Sequence, residues 1–355
     1  MYLSIIGSPG CGKTTLFTAM SALRPAVAGA RSTVAVIDVP DERVDRLSAI
    51  FHPKKTVYGR IEVCDMDSIT EGAMRTEAVP AKQLQEMRLC DAFLMVLKHF
   101  DGGPADGPVA AFHTMAGEFM IADMIQIENR LDRIKKQSGR TAKSGGTALD
   151  QERAALEQCL AHLEQGVPLA SLDLFRTDEA RALRGFQFLS LKPLMAVVNC
   201  PEEMMRTGED VSAAIASRLP SGVPVVAACG RLEAELAVME PGERPLFMEE
   251  YGLTESLRGR LIGLAYRTLG LISFLTVGQD ECRAWPIRAG MTAQEAAGVI
   301  HTDLSDRFIR AETVSYDDFM RYGDFPACKK AGVWRLEGKQ YIVQDGDIIS
   351  VRAGN

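Results

Sequence analysis

Near the start of the chain, Gly7-Ser8-Pro9-Gly10-Cys11-Gly12-Lys13-Thr14 satisfies the pattern GxxxxGK[ST]. Residues of these types at this spacing make a cradle for the phosphates of a nucleotide. The glycines let the backbone turn its N–H groups onto the phosphate oxygens. Lys13 is placed to reach the β and γ phosphates, and the Thr14 hydroxyl to ligate Mg²⁺. A helix opening at Lys13-Thr14-Thr15-Leu16-Phe17 aims its positive dipole end at the same anion.

Such a loop needs a second strand ending in an acid that faces the metal. Ile61-Glu62-Val63-Cys64-Asp65 alternates like a strand and offers Asp65; the plainer reading, a strand simply ending at a turn, stays open. In GTPases of this class the aspartate opens a DxxG motif, and a following glutamine often orients the attacking water. Here Ser68 stands at the glycine position and can still present its backbone N–H to the γ-phosphate. Ile69 stands at the glutamine position and can neither donate nor accept a hydrogen bond. Turnover without help should therefore be slow.

A third motif, Asn199-Cys200-Pro201-Glu202, falls where related proteins carry NKxD to recognise guanine. The aspartate of that motif accepts from guanine N1–H and its 2-amino group, two donors that adenine does not present in that arrangement. Glutamate moves the carboxylate by about one C–C bond, and Cys200 replaces a lysine whose stem packs on the base, so guanine selectivity should weaken. Alone, the pattern could equally be a helix N-cap. Cys11, Cys200 and Cys229 all fall in nucleotide motifs. A thiol at Cys11, near a helix N-terminus, could have a lowered pKa that makes nucleotide binding sensitive to oxidation or alkylation; the alternative is a small packing residue.

These loops need strands to carry them. Besides the alternating Ile61–Asp65, Tyr2–Ile6, Ala92–Leu97, Leu194–Val198 and Val223–Ala227 are short apolar runs, suited to parallel strands covered by helices on both faces. Ligand loops are expected at their carboxyl ends. Met120, Met124, Ile127, Leu131 and Ile134 repeat by fours and threes, and Leu149, Leu156, Leu160 and Leu163 do so similarly, which predicts two helices with an apolar seam. The polar, Gly-rich stretch 137–147 between them reads as a tip, giving either a projecting antiparallel hairpin or ordinary helical packing. From about Ile272 the chain suits a small β-grasp module, with strand-like runs on either side of Asp345-Gly346. His301-Thr302-Asp303 within it reads as structural rather than catalytic.

The whole chain has 355 residues, 46% hydrophobic and 25% charged, enough for two or three domains. It contains no apolar run long enough to span a membrane, and its N-terminus does not read as a signal peptide. The net charge of −7 argues against binding nucleic acid through bulk positive charge, though not against a local basic face. Eight scattered cysteines and five histidines show no zinc spacing, so a reduced cytoplasmic protein is expected.

Beyond these motifs, the chain closely resembles the YchF-like ATPases of the Obg-related P-loop GTPase superfamily. The likeness runs through Val39-Pro40-Asp41-Glu42-Arg43-Val44-Asp45-Arg46-Leu47, residues 53–57, Gly72-Ala73, Ile121-Ala122-Asp123 and Leu191-Lys192-Pro193. It is most distinctive in the tail, in residues 283–287, 296–303 and 337–347. The resemblance implies an α/β P-loop NTPase domain with a parallel sheet (1–118 and 190–271), an inserted α-helical coiled-coil arm (119–189) and a C-terminal TGS-like β-grasp domain (272–355). It implies an ATP-preferring, slow, Mg²⁺-dependent nucleotidase associated in some members with ribosomes, with ribosome or RNA contact through the arm and TGS domain; the sequence does not fix the oligomeric state, a monomer being favoured. A binding module with negligible hydrolysis and a GTP-specific GTPase remain the alternatives.

By position, Gly10, Cys11, Gly12, Lys13, Thr14 and Thr15 would bind phosphate. Asn199, Cys200, Glu202 and Phe100 would meet the base, Phe100 by stacking, with Cys229 in the adjoining loop. The catalytic set would be Lys13, Asp65 and Ser68, with Thr14 and Asp65 on Mg²⁺. The apolar Ile69 agrees with the family. Three features depart from it. The stretch 24–33 is short and lacks the family's aromatic-Pro switch, leaving Thr33 as one candidate to close over Mg²⁺. Ser68 replaces a glycine, and Gly10-Cys11 stands where Asn-Val is usual.

Overall fold

A computed structural model describes residues 1–21, 33–138, 147–176, 178–207, 211–240, 242–253 and 255–354. The first half of the chain runs β1 (Tyr2–Ile6), α1 (Lys13–Ser21), β2 (Thr33–Val39), α2 (Glu42–Phe51), β3 (Lys55–Val57), β4 (Gly59–Asp65), α3 (Ala81–Leu89), β5 (Ala92–Lys98), α4 (Asp106–Ser138) and α5 (Thr147–Glu164). After short 3₁₀ turns come β6 (Leu194–Asn199), α6 (Glu202–Thr207), α7 (Val211–Ala216), β7 (Val225–Ala228), α8 (Gly230–Val238), α9 (Arg244–Glu250) and α10 (Leu257–Thr268). The tail comprises β8 (Leu271–Thr276), β9 (Glu281–Arg288), α11 (Ala293–Ile300), α12 (Thr302–Asp306), β10 (Phe308–Ser315), α13 (Tyr316–Tyr322), α14 (Phe325–Lys330), β11 (Arg335–Glu337) and β12 (Asp347–Ala353).

The chain divides into two compact units, residues 1–35 with 62–258 and residues 36–61 with 259–355. Residues 36–61, which the sequence reading placed in the nucleotide-binding domain, thus cluster with the tail. The physical reason is a shared sheet and core: β3 pairs in parallel with β9, and Val44 and Leu47 of α2 pack with Leu275, Val314 and Phe319.

The first unit is built on the sheet strands β4, β1, β5, β6 and β7, neighbours in that order. From β4 to β7 every pairing is parallel. The chain leaves central β1 for β4 on one side and continues to β5 on the other, so the loop after β1 sits at a topological switch point, where ligands of such sheets bind. Leu3, Ile5 and Ile6 of β1 and Phe93 to Leu97 of β5 are buried, as continuous apolar strands between helical layers should be.

Helix α4 begins at Asp106, thirteen residues before the expected arm boundary at 119. Its first half packs on the sheet core through Phe112, Met115 and Phe119. Its second half carries the anticipated seam, in which Ile127 and Ile134 meet Leu156 and Leu163. That seam is not a two-helix zipper alone, because Leu169, Leu174, Leu183 and Phe188 of the returning segment pack into the same cluster. Arg130 and Glu152 clasp across α4 and α5 with two bonds, at 2.7 and 2.9 Å. Most of the proposed tip, residues 139–146, lies outside the described residues.

In the second unit β8 and β9 form an antiparallel hairpin and β12 adds in parallel to β8, with β10 and β11 beyond it. Helix α11 covers this sheet through Ala293, Ala296 and Ala297, giving a β-grasp arrangement. The expected strand before Asp345-Gly346 reduces to one bridge, Thr292 with Ile342; only the run after it is a full strand, β12. Among the described residues no helix is long and apolar enough to cross a membrane.

Candidate functional site

The loop after β1 keeps the geometry its glycines allow. Gly10 and Gly12 have φ of 71° and 94°, in the left-handed region that residues with a Cβ rarely adopt. A Cβ at Gly12 would also come within 2.2 Å of Asn199 Nδ2. Helix α1 then starts at Lys13, with Thr14 and Thr15 exposed on its first turn.

Lys13 is buried, yet its ammonium donates to the Gly7 carbonyl at 3.4 Å and to Ser68 Oγ at 2.6 Å. Thr14 Oγ1 donates to Asp65 Oδ2 at 2.8 Å. The second oxygen, Asp65 Oδ1, is buried without a hydrogen-bond partner. Burial pushes the Asp65 carboxyl above its ordinary value, against the pull of the Thr14 hydrogen bond and of Lys13. An orphaned, partly desolvated carboxylate oxygen beside a hydroxyl is a donor set that fits a hard divalent cation. Among the described residues no group of three or more His, Cys, Asp or Glu gathers as a metal site.

Ser68 and Ile69 separate in role. Ser68 is exposed beside Lys13, whereas Ile69 is 2% exposed and lies in the hydrophobic core, its N–H on the Gly7 carbonyl. The loop after Ile69 is held by a residue the sequence reading missed. Glu118 of α4, 3% exposed, accepts from the N–H groups of Gly72 and Met74 at 2.7 and 2.9 Å. Its signal was an acid on the buried stripe that also bears Met115 and Phe119.

On the base side, Asn199 is a strut. Its Nδ2 donates to the Cys11 carbonyl and its Oδ1 accepts from the Gly230 N–H, each at 3.0 Å, so one side chain ties the phosphate loop to the start of α8. Both ends of the amide are thereby engaged, and Asn199 does not present a free edge to a base. Cys200 is 1% exposed among the core residues of the sheet, with Sγ on the Val198 carbonyl. It therefore offers no side-chain surface for a base to pack on, contrary to expectation. Successive residues at a strand end face opposite sides; Asn199 takes the loop side and Cys200 the core side.

Cys11 also corrects the sequence reading. It is fully buried, and desolvation raises its thiol pKa, outweighing Lys13 and the nearby backbone N–H groups, which lower it. The packing alternative holds, and a reactive thiol there is not supported. Cys229 is the residue before α8, 5% exposed and packed with Leu232 and Tyr251.

Glu202, in the first turn of α6, accepts from Tyr251 Oη at 2.8 Å and lies 3.4 Å from Arg206 Nη2. Phe100 is 38% exposed, with the Lys98 ammonium 5.0 Å from its ring centroid. Thr33 is the first residue of β2, and residues 22–32 before it lie outside the described residues.

Comparison with known proteins agrees with this architecture. A protein of *Haemophilus ducreyi* called "Ribosome-binding ATPase YchF" is 35% identical over 98% of both chains, and one of that name from *Bacillus subtilis* is 34% identical over the same shares. The chain belongs to the YchF family of P-loop nucleoside triphosphatases. A YchF family model, YchF-GTPase_C, described as "Protein of unknown function (DUF933)", matches residues 271–354. The solved structure titled as the *Schizosaccharomyces pombe* YchF GTPase superposes with a TM-score of 0.82 at 27% identity, covering 99% of this chain and 97% of the other. The YchF architecture therefore extends over the whole molecule.

Proposed function

We propose that the chain is a Mg²⁺-dependent purine nucleoside triphosphatase that prefers ATP to GTP, is slow alone and works in association with ribosomes. The observation that carries the reading is the convergence on the glycine loop of Lys13, Thr14, Asp65 and Ser68, with one Asp65 oxygen left unsatisfied. Thr14 and Asp65 would hold Mg²⁺, which supplies charge neutralisation across the phosphate oxygens. Lys13 exchanges the Gly7 carbonyl and Ser68 hydroxyl for phosphate oxygens, and Ser68 offers its N–H toward the γ-phosphate. The backbone around Gly10 to Gly12, with the exposed start of α1, receives the rest of the anion.

Slow turnover follows from Ile69, which is buried and apolar where a water-orienting side chain would stand. The same observation favours a second reading, a nucleotide-dependent binding module that hardly turns over. Association with ribosomes is supported by the bacterial relatives, which are named ribosome-binding ATPases. Single-turnover release of phosphate from ATP, with and without ribosomes, tests the proposal. Faster release with ribosomes is expected, and no release under either condition leaves only the binding module. Competition between ATP and GTP tests the base choice.

A further inference from the structure

Glu202 is not a free carboxylate waiting for a base. Its Oε1 accepts from Tyr251 Oη at 2.8 Å, with Arg206 Nη2 at 3.4 Å from the same oxygen. Arg206 Nη2 also donates to Tyr251 Oη at 2.9 Å, and its guanidinium lies 4.9 Å from the Tyr251 ring centroid. Beyond it, Arg206 reaches Glu250 Oε1 at 3.3 Å. The result is a directed chain in which Arg206 donates to Tyr251 and Tyr251 to Glu202.

The tyrosine is fixed in turn. It is 7% exposed and packs with Cys229, just before α8, and Leu232 in its first turn, and its ring lies 4.9 Å from that of Phe247. Among the described residues Glu202 Oε2 has no hydrogen-bond partner, and the side chain is 35% exposed. One oxygen is therefore already engaged by a donor and an ion pair, and the other is open.

The two purines make different demands on a carboxylate. Guanine presents N1–H and the 2-amino group side by side, a pair that fits both oxygens at once. Adenine presents one donor group on that edge, its 6-amino group, which a single oxygen can accept. We propose that Tyr251 and Arg206 are specificity-determining positioning residues, which weaken Glu202 Oε1 as an acceptor and leave Oε2 the freer oxygen, favouring adenine over guanine. The proposal rests on the ATP preference proposed above and on Glu202 meeting the base, as the family resemblance implies.

The test is equilibrium titration of the full chain with ATP, GTP and inosine triphosphate, which keeps N1–H but lacks the 2-amino group. Wild type is compared with Tyr251→Phe and with Tyr251→Phe combined with Arg206→Met; both changes retain the packing surface. ATP affinity should stay within about threefold. GTP affinity should rise about tenfold in the double variant, the effect of one recovered charge-assisted hydrogen bond, and less in the single one. Inosine triphosphate should not gain, because it lacks the donor for the freed oxygen. An unchanged GTP-to-ATP ratio in the double variant, or equal weakening of all three nucleotides, overturns the proposal. The wild-type ratio separately tests the base choice: equal binding of ATP and GTP defeats that reading, whatever the variants do.

Discussion

Replacing Asn199 with alanine separates two roles that the motif alone does not distinguish. If Asn199 read the base, its loss would change the ratio of ATP to GTP binding. The geometry assigns it instead to holding the Cys11 carbonyl and the Gly230 N–H, both at 3.0 Å and both buried. Truncation leaves these groups without their partner, and each buried polar group so stranded costs about 1–3 kcal/mol. Allowing for water entering the space, we expect the variant to be about 2–4 kcal/mol less stable. Because the phosphate loop must then be ordered at the moment of binding, affinity should fall about ten- to hundredfold for both nucleotides. Urea denaturation gives the stability change, and titration with fluorescent ATP and GTP derivatives gives the two affinities. A variant of wild-type stability, or one that loses one nucleotide while keeping the other, would refute the strut.

Lys13→Ala removes the side chain that reaches both the Gly7 carbonyl and Ser68, and triphosphate affinity should drop about a hundredfold or more, read by the same titration. Thr14→Val keeps the shape of the first turn but deletes the hydroxyl on Asp65; phosphate release should fall at least about tenfold, and chelating Mg²⁺ should do the same to wild type. Glu118→Gln keeps one acceptor but turns an N–H toward a backbone N–H, loosening residues 70–78 by about 1–3 kcal/mol, visible as faster hydrogen exchange there with the helices unaffected. In the tail, the Thr292 N–H and hydroxyl hold Glu295 below its ordinary carboxylate pKa. Its contribution is present above the ordinary glutamate value and lost as pH falls through the depressed one, so Glu295→Gln should destabilise at pH 7 and no longer do so in strong acid.

The sequence was most legible where burial is two-sided. Apart from Ser4 and the terminal Lys98 and Asn199, β1, β5 and β6 are apolar throughout, and their limits lie within a residue of those expected. The phosphate loop and Asp65 were readable because backbone geometry and metal chemistry restrict residue type at fixed spacing. β2 was missed because its outward residues Val34 and Val36 are apolar yet 49% and 60% exposed, which erases the alternation of a one-sided strand. The true start of α4 was hidden by Gly107 and Pro108, which look like breakers although proline is tolerated in a helix's first turn. Side-chain direction was the other blind spot. The motif could not reveal that Cys11 and Cys200 turn into the core, nor that Glu202 finds a tyrosine 49 residues away.

The central claim is that Lys13, Thr14 and Asp65 form a Mg²⁺-triphosphate site around a loop that only glycine can build. The most direct measurement is titration of Gly12→Ala and wild type with ATP in the presence of Mg²⁺, since the added methyl meets Asn199 at an impossible distance in a strained backbone. The account predicts that wild type binds and that the variant loses ATP while the arm and tail stay folded by hydrogen exchange. Equal ATP affinity in the two proteins would contradict it.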